Sequence, residues 1–533
     1  MLRKTLLALF VVAFLATLTG CTAEQDERKG AVHRQRSVIF NNDGDDAWCT
    51  CSNAPATPEG FLSLRQDQTY DCGVSSVFYC TTQNFNLFTH DSKLTEIFVS
   101  KEGFTPRNRM KELLDAGTDP LALTVEACRK RNVEVFWSLR MNDIHDNYHP
   151  HLMSQWKRDN PQFLMGTIAD FERFPRDDGR NVWTFVDYSH PPVRDRIVEI
   201  VRDVVTRYDV DGIDLDFMRH TCYFKEVQLY QPVTAEHMDM MTDMVSKVSK
   251  VVHEASRSKG KPVLLSVRVF PTLELNRRFG FDVQRWAESG YLDFIAVGGG
   301  YDPFTMPAKD MIDRGHAWGM PVYVCLSNSG MEQRGVTDSD LSGWNYAAWR
   351  AAAANAWALG PNGIMTFNVA PELADSQETR RARTVWKEIG DPKGLVGKDK
   401  LYCIENLSLS YTQGYMMRSV PWEDRLPAAL AKGTTVTRVL PVADDIPNLA
   451  DRLKSLRLRV FLAGLKPGDD VQVIINGKPL SASPEKPGWL AADVSPSLMR
   501  KGPNEITVAY GQGAAAELSI GSVELSVQYQ PAG

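Results

Sequence analysis

Residues 209–219 read DVDGIDLDFMR, and the fold follows from how this stretch alternates. Successive side chains of a strand point to opposite faces. One phase holds Ile213, Leu215 and Phe217; the other holds Gly212, Asp214 and Asp216. The apolar phase suits packing beneath helices. The acidic phase needs a different home, because an ionised carboxylate is costly to bury without a partner. A strand of a closed barrel meets both demands, with its aspartates turned to the interior near the mouth.

Working outward, seven more strand-like runs occur at 37–42, 74–80, 133–142, 263–270, 292–298, 322–328 and 363–369, which makes 212–218 the fourth of eight. Helical patterns lie between most of them, at 121–131, 193–208, 235–258, 283–289, 308–318 and 344–359. The last includes AAWRAAAANAWAL, whose alanines favour helix. Strands alternating with helices imply a parallel sheet. Eight such units over residues 37–391 predict a (β/α)8 TIM barrel with enlarged loops. An open doubly wound sheet is the competitor. It would be expected to carry a GxGxxG turn after strand one, where this chain has Asn42-Asp43-Gly44-Asp45-Asp46, a sequence that repels phosphate. The longest inserts follow strands one to three. Loops after strands form the C-terminal face of a barrel, where active sites are built.

The pattern changes after Asp391. Residues 392–400 read as a linker and 401–533 as a small all-β sandwich. Strand-like runs at 455–462, 470–475, 505–510 and 522–529 are separated by turn signals such as Lys466-Pro467-Gly468-Asp469 and Asn476-Gly477.

The 533 residues are 43% hydrophobic and 24% charged, with a net charge of −6, so disordered and fibrous classes fit poorly. No basic domain suggests nucleic-acid binding. At the N-terminus, Arg3 and Lys4 precede an apolar run at 6–18, the shape of an export signal. The run ends in Leu18-Thr19-Gly20-Cys21, which resembles the lipobox of bacterial lipoproteins. That resemblance implies a signal peptide over 1–21 and a lipid on Cys21. It further implies a polar tether over 22–36 and an exported, membrane-anchored protein in the periplasm or at the cell surface. Thr22 in place of Asp leaves an outer-membrane address open. An exported compartment permits disulfides, and Cys72 and Cys80 are the expected partners for Cys49 and Cys51. Ten histidines without HExxH argue against a zinc enzyme. No cofactor or metal is expected.

Asp216, nearest the mouth, is the expected proton donor, with Asp214 orienting it. Acid catalysis of this kind is commonly partnered by a second carboxylate. Glu372 after strand eight and Asp43 after strand one are favoured; Asp143 and Asp302 also follow strands. Asn41, Asn42, Arg140, Asn142, Arg268, Asn328 and Asn368 cluster at strand ends, where amides and guanidinium groups can bind sugar hydroxyls or an acidic sugar. Arg219 and His220 adjoin them. Tyr301, after Gly298-Gly299-Gly300, is the expected stacking aromatic; Trp48, Phe304 and Trp344 are others, and Trp137 lies in the core phase.

The segment DGIDLDFMRH, with RSVIFNNDGDD at strand one, resembles the glycosyl-hydrolase-like barrels that are similar in fold to glycosidase family 10. The likeness spans about 36–390 and implies a carbohydrate substrate. DGIDLD is also similar to the chitinase motif DGxDxDxE, but Met218 stands where chitinases have their acid. The Asn-Glu and Glu ends of strands four and seven of family 10 are missing too; strand seven ends in Ser327-Asn328. Residues 500–508, RKGPNEITV, resemble galactose-binding-like jelly rolls, which implies a module that binds sugar or braces the barrel. The expectation is a lipid-anchored glycoside hydrolase. The rivals are a non-catalytic glycan-binding lipoprotein and a metal-dependent hydrolase using the acids of 41–46.

Overall fold

The computed structural model describes residues 25–48, 54–103, 105–175, 179–298, 304–327, 336–340, 345–367, 369, 377–405, 426–513 and 516–531. Eight parallel strands close a barrel: β1 (Val38–Asn42), β2 (Ser76–Cys80), β3 (Glu134–Arg140), β4 (Gly212–Asp216), β5 (Leu264–Val269), β6 (Phe294–Val297), β7 (Val322–Ser327) and β8 (Gly363–Phe367). Each pairs with its sequence neighbours and β1 pairs with β8. All eight expected strands are present. The phases of β4 divide as their chemistry requires. Ile213, Leu215 and Phe217 join the large core under the helices. Gly212, Asp214 and Asp216 face inward, above a plug built from Ile39, Phe78, Phe136, Leu264, Phe294, Tyr323 and Met365.

Register stacks the inward residues in rows. Ser138 pairs with Asp214 and Asp214 with Ser266; one step higher, Arg140 pairs with Asp216 and Asp216 with Arg268. The lower row is polar but hydrogen-bonded, since the hydroxyls of Ser138 and Ser266 each donate to Asp214 at 2.9 Å.

The floor is closed by the segment expected to be a tether. Residues 25–32 form a helix. Its Arg28 grips Asp293 with Nε and Nη2 at 3.0 and 2.7 Å, while Ala31 and Val32, half-buried, pack against the interior plug. Arg36 is fully buried and holds Glu134 through two bonds of 2.6 and 2.7 Å. A long polar side chain covers apolar floor while its head finds a carboxylate, which composition alone does not reveal. Cys21 lies outside the described residues. Among those described, no helix is long and apolar enough to cross a membrane.

The C-terminal region is an all-β sandwich. One sheet runs Lys400–Ile404, Glu517–Tyr529, Leu453–Ala463, Trp489–Asp493 and Ser483–Lys486, with Ala428–Ala431 also on Glu517–Tyr529. The other runs Thr434–Val442, Gly502–Tyr510, Val471–Ile475 and Lys478–Pro479. Leu458, Val460, Leu525, Val473, Ile506 and Val508 fill the space between them. The expected linker is shorter than 392–400. Lys400 already belongs to a strand, and its buried ammonium reaches Leu395 O at 2.6 Å and Asp444 at 2.9 Å. The barrel helix Tyr346–Ala358 packs on that strand and contributes Ala351 to the sandwich core.

Cys72 and Cys80 are buried free thiols, not halves of disulfides. Cys80 ends β2 with its sulfur against Thr82 O at 3.6 Å. Cys49 and Cys51 lie outside the described residues.

Candidate active site

A cleft of about 380 Å³ opens at the C-terminal ends of the strands, lined by Asp45, Trp48, Gln83, Phe98, Arg140, His145, Leu152 and Arg219. The end of β3, at Arg140, and the loops after β1, β2, β3 and β4 supply these residues.

The loop after β1 makes the acidic wall. Gly44 turns it with φ 80, and a Cβ there would sit 1.9 Å from Cys80 O, so glycine is required. Asn42 holds the turn. Its oxygen accepts from Gly44 N at 3.1 Å and Arg65 Nη1 at 3.3 Å, and its amide donates to Asp46 at 3.0 Å. Asn42 is wholly buried, so its expected role on substrate gives way to shaping the loop. Asp46 is likewise buried, accepting from Gln66 and Tyr79 at 3.2 and 3.0 Å.

Asp43 and Asp45 diverge across the glycine. Asp43 forms a short ion pair with Arg65, and Arg140 lies 4.0 Å from its other oxygen. Burial would raise its pKa, but Arg65, Arg140 and Arg219 override burial and hold it well below the usual carboxylate range. Asp45 is 3.8 Å from Arg65 and a quarter exposed in the cleft. Burial, and then the Asp43 charge, push Asp45 up to about 8. Neighbouring carboxylates driven apart in this way supply one acid and one anion at neutral pH.

The strand-four pair sits deeper than expected. Arg268 clasps Asp216 with Nε at 2.9 Å and with Nη2, and Met218 N donates to Asp216 Oδ1 at 2.9 Å. Asp216 is 1% exposed and Arg268 fully buried, with its guanidinium 4.5 Å from the Phe367 ring. Both carboxylate oxygens of Asp216 therefore accept from fixed N–H groups, and neither side chain lines the cleft. Asp214 is also fully buried, raised to about 6 by burial and by Asp216. Asn142 is buried as a loop clamp. It donates to Val186 O and Cys222 O at 2.9 and 2.6 Å and accepts from Val186 N at 3.0 Å. Its expected contact with substrate is replaced by joining two loops. Phe304 packs on Trp349 at 5.1 Å, and Trp137 is buried in the core. Tyr301, Asn328, Trp344, Asn368 and Glu372 lie outside the described residues, as does Asp302.

Arg140 and Arg219 do reach the cleft. Arg140 bridges two loops, donating to Asp43 O at 3.1 Å and Asp143 Oδ2 at 3.0 Å. Arg219 Nη2 lies 3.2 Å from His145 Nε2. His220 stands beside them in the left-handed region, φ 58, with Nδ1 3.3 Å from Asp143 Oδ1. Asp143, His145 and His220 bring three ligand-type atoms within 4.8 Å of one another. Arg65 and His145 were not singled out by sequence reasoning, and Asp45 entered only as one of the acids of 41–46. His145 had a faint signal, two residues beyond an aspartate at a strand end; Arg65 had none, since it is 22 residues from the acid it pairs with.

Fold and cleft together define a (β/α)8 barrel protein with a polar cleft at the C-terminal ends of its strands. Residues 97–319, which include β3 to β6 and most of the cleft, match the family described as glycosyl hydrolase-like 10. No curated protein matches the chain. Among solved structures, alpha-L-fucosidase isoenzyme 2 from Paenibacillus thiaminolyticus is similar at 16% identity and TM-score 0.41, over 67% of this chain and 48% of that one. An alpha-amylase from Anoxybacillus is similar at 12% identity and TM-score 0.38, over 90% and 99%. A GH36 alpha-galactosidase from Geobacillus stearothermophilus is similar at 12% identity and TM-score 0.36, over 93% and 56%. The chain spans about half the length of the fucosidase and of the galactosidase.

Proposed function

We propose that the protein is a glycoside hydrolase cutting O-glycosidic bonds in an oligo- or polysaccharide, with Asp45 as the proton donor. The observation that carries this reading is the Asp43–Asp45 pair. One carboxyl is kept protonated near neutrality at the cleft wall while its neighbour is pinned as an anion. A raised carboxyl can protonate the departing glycosidic oxygen as the bond to the anomeric carbon breaks. Trp48, edge-on to Phe98 at 6.0 Å, offers an aromatic wall for a sugar ring, and Arg140 and Arg219 offer donors for its hydroxyls. Asp216 is assigned to holding Arg268 and the barrel top.

The test is a panel of polysaccharides and oligosaccharides scored for new reducing ends. Wild type should cleave at least one, and Asp45→Asn should lose about 10²–10⁴-fold in kcat. Equal turnover by both proteins removes Asp45 as the acid. Binding without product favours the non-catalytic glycan-binding reading, for which the engagement of Asp216 by Arg268 is the supporting observation. Full activity after dialysis against a chelator counts against the metal-dependent rival.

The lipid anchor is part of the same proposal. Palmitate labelling should be present in cells producing wild type and absent with Cys21→Ala.

A further inference from the structure

We infer that His145, oriented by Asp143, is the base that takes a proton from the attacking water. The inference rests on the hydrolase reading above and assigns the second group that reading needs.

Hydrogen-bond accounting sets the state of the ring. A guanidinium only donates. Arg219 Nη2 lies 3.2 Å from His145 Nε2, so Nε2 carries a lone pair and the ring proton sits on Nδ1. Nδ1 is 2.5 Å from Asp143 Oδ1, which therefore accepts. The same oxygen accepts from His145 N at 3.2 Å, and Arg140 Nη1 donates to Oδ2 at 3.0 Å. Asp143 is fully buried, so these bonds hold its carboxylate in one place. A buried aspartate on Nδ1–H fixes both tautomer and ring direction and stabilises the imidazolium once it forms. His145 is more exposed than its partners, 29% against 0% for Asp143, and it lines the cleft that Asp45 also lines. The lone pair of Nε2 is thus its working edge. The His220 ring, edge-on at 5.2 Å, packs against it.

A divalent ion on Asp143, His145 and His220 is the competing use of these atoms. A proton on Nδ1 takes that nitrogen out of ligation, and the guanidinium groups of Arg140 and Arg219 already bring positive charge to the place.

In the step, substrate entry places water where Arg219 now meets Nε2. Nε2 takes one proton from the water, and the water oxygen bonds to the anomeric carbon. The bond from that carbon to the leaving oxygen breaks, and the Asp45 proton passes to that oxygen. A hemiacetal and an alcohol result, leaving imidazolium and carboxylate to exchange protons with solvent. A base that activates water directly, with no glycosyl-enzyme intermediate, inverts the anomeric configuration.

The probes are 2,4-dinitrophenyl glycosides of common hexoses, pentoses and N-acetylhexosamines in both anomeric forms, beside the polysaccharide panel. His145→Ala should lower kcat by about 10²–10⁴-fold with KM little changed, on activated and natural substrates alike, and added imidazole should restore part of it. Asp45→Asn should be spared on the dinitrophenyl leaving group, which needs no proton. Product followed by NMR should be inverted. In protein with ¹⁵N-labelled histidine, the signal absent from His145→Ala should show Nδ1–H, and Asp143→Asn should shift it toward Nε2–H. Active wild type with an equally active His145→Ala overturns this inference alone. A retained configuration, an Nε2–H tautomer in wild type, or one equivalent of bound zinc in purified protein each overturns it too. A wild type that cleaves nothing on either panel overturns the hydrolase reading, and the base role with it.

Discussion

Asp45 and Asp43 are one glycine apart in the chain, and their surroundings give them opposite jobs. The consequence for pH is direct. With Asp45 as the proposed proton donor, kcat/KM should fall as pH rises through about 8. That alkaline limb should be missing from the residual rate of Asp45→Asn, checked by pH–rate profiles of both proteins. Asp216 makes the contrasting case. Removing its charge leaves Arg268 buried and unpaired, so Asp216→Asn should cost about 3–5 kcal/mol of stability in urea titrations. Asp216→Asn with Arg268→Met should cost less than either change alone, because no charge is then stranded.

Among the elements, the seam between barrel and sandwich carries a buried acid of its own. Glu405, just past strand Lys400–Ile404, accepts from Phe304 N at 2.6 Å and is 2% exposed. Burial pushes its pKa from 4.5 to about 7. The folded state therefore keeps a proton that the unfolded chain releases between those values. Stability from this group is full below about pH 4.5 and is lost as pH rises toward 7, by up to about 3 kcal/mol. Glu405→Gln keeps an acceptor without the charge, so its unfolding free energy should fall less than that of wild type between pH 5 and 8, measured by urea titration.

Across the whole molecule, the sandwich reaches the rim of the barrel. Trp489 Nε1 donates to Thr337 O at 2.7 Å, and Arg459 donates to Asp338 O at 3.1 Å and pairs with Asp340 at 2.6 Å. These bonds fix residues 336–340, which follow β7. Trp489→Phe should keep both cores and speed amide exchange at 336–340, read by hydrogen–deuterium exchange mass spectrometry. A bracing role accounts for these contacts without any sugar on the sandwich. At the other end, helix 25–32 seals the barrel floor, so the chain enters on the face opposite the cleft. The strands were legible in the sequence because each carries its own alternation, and the phases of 212–217 are set by residues two apart. The sandwich strand Lys400–Ile404 was not legible, since its partner lies at Glu517–Tyr529 and its cover is a barrel helix. The site divides in the same way. Strand ends pointed to the face where the cleft opens, and Arg140 and Arg219 line that cleft. The engagement of Asp216 was beyond local reading, because Arg268, which holds it, is 52 residues away in the chain. By itself, the sequence determined eight alternating units, an inward acidic phase and the mouth where chemistry would lie, because periodicity is a local property of the chain. Only the tertiary structure decided that Asp216 is bound, Asp45 raised and His145 aimed, because a side chain's protonation and direction depend on charges and donors that folding brings from distant loops.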